Sequence, residues 1–83
     1  MYVESFKQLI VWQKSITLVM LIYNITGKLP KEEVFGLTSQ MRRSAISIPS
    51  NIAEGKKRKT RADFIQFLRI ANGSAAELET QMI

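Results

Sequence analysis

The sequence predicts an all-α protein, an antiparallel up-and-down helical bundle. Three observations lead there. Apolar residues recur at helical spacing in three stretches, Gly and Pro punctuate the chain between them, and no segment alternates with the period of two that a half-buried strand requires. The expected helices run over residues 6–26, 37–54 and 61–83 of a single domain, with connections short enough to make neighbours mostly antiparallel.

The first segment begins after Ser5, a suitable N-cap, and stops at Gly27. Leu9, Trp12, Ile16, Val19, Met20 and Tyr23 share one face at helical spacing. Val11, Leu18, Leu21, Ile22 and Ile25 cluster on the opposite face. A surface helix is ordinarily apolar along one stripe only. Two opposed apolar faces need two packing partners, and in a chain of 83 residues one of them is expected to be another subunit. Val11, Leu18, Leu21, Ile22 and Ile25 are therefore the expected oligomer interface.

Leu29-Pro30 breaks the chain, and Lys31-Glu32-Glu33-Val34 fits a short helical turn with Pro30 at its first position and the acidic pair favoured by the dipole. Gly36 follows. In the second segment Leu37, Met41, Ala45, Ile48 and Ile52 form an apolar stripe. Beside it lie Gln40, Ser44, Ser47 and Asn51, polar and uncharged. That strip suits close helix contact with hydrogen bonds across it, although a simple helix flank accounts for it as well. Pro49 cannot bond the Ala45 carbonyl and should kink the helix, which the apolar period nevertheless carries through to Ile52. Gly55 is expected to end it. Thr60 can cap the third segment, with Asp63 three residues on completing a capping-box pattern. Phe64, Phe67, Leu68, Ala71, Ala75, Leu78 and Met82 share its apolar face, Gly73 costs about 1 kcal/mol against alanine, and the pattern still runs at Ile83.

Composition narrows the chemistry. A domain this small is marginally stable unless disulfides, a metal or partner subunits supplement its core. The chain has no Cys and no His, which excludes disulfides and leaves only carboxylates for a metal such as zinc. Oligomerisation remains. Without those residues, serine–histidine and cysteine–histidine catalysis are also out of reach. Glu32 with Glu33, or Glu77 with Glu79, could pair as catalytic carboxylates, but helix-start charge and a solvated face explain them more simply. Gly55-Lys56-Lys57 lacks the upstream glycine and the strand of a phosphate-binding loop. No enzyme activity and no cofactor are expected. The longest apolar run, Leu18 to Tyr23, is too short for a membrane span. Met1-Tyr2-Val3-Glu4 does not open a signal peptide. A cytoplasmic protein with no membrane partner is expected.

Twelve Lys and Arg against 7 Asp and Glu give a net charge of +5, which favours anionic partners. The densest cluster is Lys56, Lys57, Arg58, Lys59 and Arg61, five cations within six residues, beside the helix start at Thr60. Cations next to exposed backbone N–H groups suit phosphate oxygens, and would bind nucleic acid with salt-dependent affinity and little sequence discrimination. A solvated loop is the plain alternative. Arg42 and Arg43 are further candidates, with Arg43 expected to pair with Ser47 or Glu54. A helix-turn-helix repressor fits less well, because the connector is long for that motif and the third segment lacks a polar base-reading face.

Four motifs carry a resemblance over nearly the whole chain. They are Phe6-Lys7-Gln8-Leu9-Ile10-Val11-Trp12-Gln13-Lys14, Phe35-Gly36-Leu37-Thr38-Ser39-Gln40-Met41-Arg42-Arg43-Ser44-Ala45, Ser47-Ile48-Pro49-Ser50-Asn51-Ile52-Ala53-Glu54-Gly55, and the spaced set Phe67, Leu68, Ile70, Ala71, Gly73, Ser74, Glu77, Leu78 and Glu79. The chain resembles the four-helix-bundle family of 23S ribosomal RNA intervening-sequence proteins, which is similar to the accessory variability protein of diversity-generating retroelements. The resemblance implies a ring-like homopentamer with a positively charged surface, no enzymatic activity, and binding to RNA or DNA. Its retroelement side implies an adaptor role with a reverse transcriptase as partner. It also implies a fourth helix, which the sequence, ending at Ile83, lacks. Three helices should then leave an apolar groove along Trp12, Tyr23, Phe64 and Leu78 partly uncovered.

Overall fold

The computed structural model describes residues 5–82. Met1-Tyr2-Val3-Glu4, Ile83 and the side chains of Glu33 and Val34 lie outside the described residues, and with them the expected last helical position and the Glu32–Glu33 pair. The described residues form three α-helices: α1 (Ile10–Thr26), α2 (Ser39–Lys56) and α3 (Arg61–Met82). The all-helical expectation holds.

The boundaries shift for local reasons. Ser5 caps a separate 3-10 turn, Phe6–Gln8, by accepting the Lys7 N–H at 3.2 Å. Leu9 is extended, so α1 starts only at Ile10. The α1–α2 connection holds a 3-10 turn, Lys31–Glu33, and a wide turn, Val34–Thr38. Gly36 sits inside that turn at φ −105°, ψ −105°, off helical geometry, and α2 begins after it rather than at Leu37. The helix runs through Pro49, which is buried. Gly55 does not terminate α2 but lies in its last turn, for a packing reason. A Cβ there would stand 2.6 Å from the Phe67 Cβ and 3.1 Å from the Phe64 Cδ1. Glycine is what lets the ends of α2 and α3 approach. At the start of α3, Thr60 Oγ1 accepts the Asp63 N–H at 3.1 Å, the expected cap.

Helix α2 is the centre of the molecule. Its Met41, Ala45, Ile48 and Ile52 pack with Ile22 of α1 and with Ala71 and Leu78 of α3. Helices α1 and α3 each lie against α2 but hardly meet each other. The uncharged strip does bond across the α2–α3 seam: Ser44 Oγ donates to Glu77 Oε1, and the Ser47 and Ser74 hydroxyls are 2.8 Å apart. Asn51 Nδ2 donates to Ser47 Oγ at 2.9 Å.

Helix α1 corrects the two-face expectation. Its most buried line passes through Ser15, Ile22 and Thr26, between the two apolar clusters. The short polar residues are accommodated because each hydroxyl donates to its own helix. Ser15 Oγ reaches the Trp12 carbonyl and Thr26 Oγ1 the Ile22 carbonyl, both at 2.6 Å. Ile22 is 0% exposed, so it belongs to the intrachain core and not to an oligomer interface. Met20 and Tyr23, grouped with the other face, are exposed. Val11, Leu21 and Ile25 do stay exposed, and Leu18 packs half-buried against the core. The expected open groove exists with a different lining. Leu78, though mostly buried, does line it, whereas Trp12 lies on the α1–α2 side in a recess with Ile16, Val19 and Pro49. The gap between α1 and α3 is lined by Val11, Leu18, Leu68, Ala75 and Met82, in two depressions of about 260 and 380 Å³.

Candidate nucleic-acid interface

The connector is a compact turn between two helix ends. The Lys57 N–H donates to the Ala53 and Glu54 carbonyls at 3.3 and 3.2 Å, and the Arg58 N–H to the Gly55 carbonyl at 3.1 Å. These bonds finish α2 and leave Lys59 and Thr60 to reverse the chain into α3. Lys56, Arg58, Lys59 and Arg61 surround a recess of about 220 Å³.

The five cations are not equivalent. The Arg58 guanidinium lies 4.9 Å from the Phe67 ring centroid and 3.6 Å from Glu54 Oε2, an ion pair one turn apart. Both side chains are about half exposed, so the pair contributes little to stability. Lys57 Nζ is 5.7 Å from the Phe6 ring, which in turn meets Trp12 edge-to-face at 5.3 Å. Lys57 thus lies over the N-terminal turn. Lys59 and Arg61 are exposed and show no partner among the described residues. Lys56, which is half-buried, shows none either.

Arg42 and Arg43 lie elsewhere. About 20 Å of α2 separates them from Lys56, at a rise of about 1.5 Å per residue, so the two groups do not form one patch. Arg42 closes the C-terminus of α1. Its Nε donates to Thr26 Oγ1 at 2.8 Å, its NH2 reaches the Tyr23 carbonyl at 3.4 Å, and its guanidinium covers the Tyr23 ring at 4.4 Å. A cation at helix-end carbonyls also complements the dipole. Arg42→Ala should lower the unfolding free energy by about 1–2 kcal/mol, read from the urea midpoint at fixed protein concentration. The sequence does not disclose this role, because Tyr23 and Arg42 meet only through the turn between helices. Arg43 is exposed, and neither expected partner meets it: Ser47 Oγ bonds Ser74 and Asn51, and Glu54 is bound to Arg58, one helical turn away.

No group of three or more His, Cys, Asp or Glu residues that could hold a metal occurs among the described residues, and no helix there is long and apolar enough to cross a membrane.

The fold and the cationic turn define a class: small basic helical bundles with one central helix and an incompletely covered flank. The chain belongs to the family of 23S rRNA-intervening sequence proteins, whose pattern matches residues 7–83. A comparison with curated proteins finds no match.

Proposed function

We propose that this protein is a non-enzymatic, cytoplasmic, self-assembling helical bundle that offers a basic surface to nucleic acid. The observation that carries the reading is the α2–α3 turn. It holds five cations in a compact hydrogen-bonded frame, with Lys59 and Arg61 unpaired among the described residues. Preplaced cations at a helix start bind phosphate oxygens without having to give up an intrachain partner. Self-assembly is supported by α1, where Ile10 and Met20 are each 68% exposed and Val11 and Leu21 about half. Exposed large apolar side chains at this density along one helix favour an interaction site. Repeating the turn around an assembly multiplies its contacts with one nucleic acid.

Lys59→Glu with Arg61→Glu tests the reading without disturbing Lys57 or Arg58, which contact Phe6, Phe67 and Glu54. Affinity for structured RNA, measured by fluorescence anisotropy, should fall at least about tenfold, and the slope of log K against log salt should shrink by about two. Unchanged affinity and slope would remove the turn as the site.

A further inference from the structure

A recess larger than the one at the basic turn lies at the other end of α2. It measures about 510 Å³ and lies between the end of α1 and the start of α2, lined by Tyr23, Phe35, Ser39, Arg42, Arg43 and Ile46. Building on the nucleic-acid reading above, we infer that this recess takes one unpaired nucleotide, with its base on Phe35 and its phosphate at Arg43.

Four features point there. Phe35 is 96% exposed, a bare aromatic face on the Val34–Thr38 turn. The other ring at the recess, Tyr23, is already covered by Arg42, so Phe35 is the free stacking platform. Arg43 is exposed with no partner among the described residues, whereas Arg42 is fixed by Thr26 and contributes a stationary positive charge to the wall. Thr38 also lines the recess, and its buried hydroxyl has no hydrogen-bond partner. An aromatic face beside a cation is the arrangement that binds single strands, because every base has a π-face and every nucleotide a phosphate. A base inside a duplex cannot reach such a platform, since its faces are occupied by neighbours. The recess therefore selects unpaired nucleotides, while the α2–α3 turn requires only phosphates. The two sites are about 20 Å apart along α2.

The test uses a short single-stranded RNA carrying one fluorescent adenine analogue, and a blunt RNA duplex of the same sequence. The parent protein should quench the analogue on binding. Phe35→Ala should abolish the quenching and weaken single-strand binding about tenfold, with duplex affinity and the molar mass by light scattering unchanged. Arg43→Gln should lower the salt slope for the single strand by about one. If Phe35→Ala matches the parent in quenching and affinity, the recess is not the site. If it changes the molar mass and weakens both RNAs alike, Phe35 is a contact between copies, and the inference is likewise overturned. A parent that binds the duplex but never quenches the analogue overturns this inference alone. A parent that binds neither RNA overturns the nucleic-acid reading with it.

Discussion

Ile22→Ala is expected to lower the unfolding free energy by about 2–5 kcal/mol, the range for truncating a fully buried aliphatic side chain. Ile22 has no exposed surface and belongs to the buried cluster centred on α2, so the cavity left behind cannot be filled by a small shift of one loop. A domain of this size has only about 5–15 kcal/mol to lose. Urea denaturation at matched protein concentration reads the change, because stability is tied to concentration once subunits associate. The informative comparison is Leu21→Ala, one position away. Leu21 is half exposed, and its truncation should cost the isolated fold less than about 1 kcal/mol. Its effect should appear in the molar mass instead, as a shift toward smaller species. A Leu21→Ala protein with parental mass, paired with a strong loss on Ile22→Ala, would leave α1 as an ordinary packed helix and withdraw self-assembly through this face.

Gly55→Ala should destabilise the protein by about 1–2 kcal/mol net, against the direction of helix propensity. Alanine is about 1 kcal/mol better than glycine inside a helix. At Gly55 the added methyl meets the Phe67 Cβ at 2.6 Å. That atom is fixed to the α3 backbone, so relief requires moving the helix and with it the packing of Phe64 and Phe67. Overpacking of this kind costs about 1–3 kcal/mol and occasionally more. Gly73→Ala is the control. Gly73 lies inside α3 with nothing within 4 Å of an added methyl, so the substitution should stabilise the chain by about 0.5–1 kcal/mol. The two melting temperatures should therefore move in opposite directions. A Gly55→Ala protein as stable as the parent would mean that α2 and α3 are not in close contact at this end. The same substitution should also loosen the basic turn, since Arg58 stacks on Phe67.

Much of the candidate site is legible in the chain itself. The cations from Lys56 to Arg61 are contiguous, and Thr60 with Asp63 marks a helix start by local hydrogen bonding alone. The serine strip of α2 can be read as a bonding surface, but not which residues of α3 answer it. What cannot be read is which cations are free. Arg58 and Lys57 find partners in Glu54, Phe67 and Phe6. Arg42 is committed to the end of α1. Phe35 resembles any other apolar residue of the second motif, and only the geometry of the Val34–Thr38 turn leaves it in water.

By itself the sequence determined that the chain is helical, where its turns fall within a few residues, what family it resembles, and that its charge is positive and concentrated after Gly55. These are properties of local spacing, capping and composition. Only the tertiary structure decided which side of α1 is buried. Its apolar residues occupy so much of the helix circumference that periodicity found two faces, whereas the core runs between them, along Ser15, Ile22 and Thr26. Small side chains that satisfy their own hydrogen bonds allow α1 to lie close to α2, and that proximity pushes the bulkier residues to either shoulder. Burial is set by which atoms a neighbouring helix can approach, and a single helix carries no record of its neighbour.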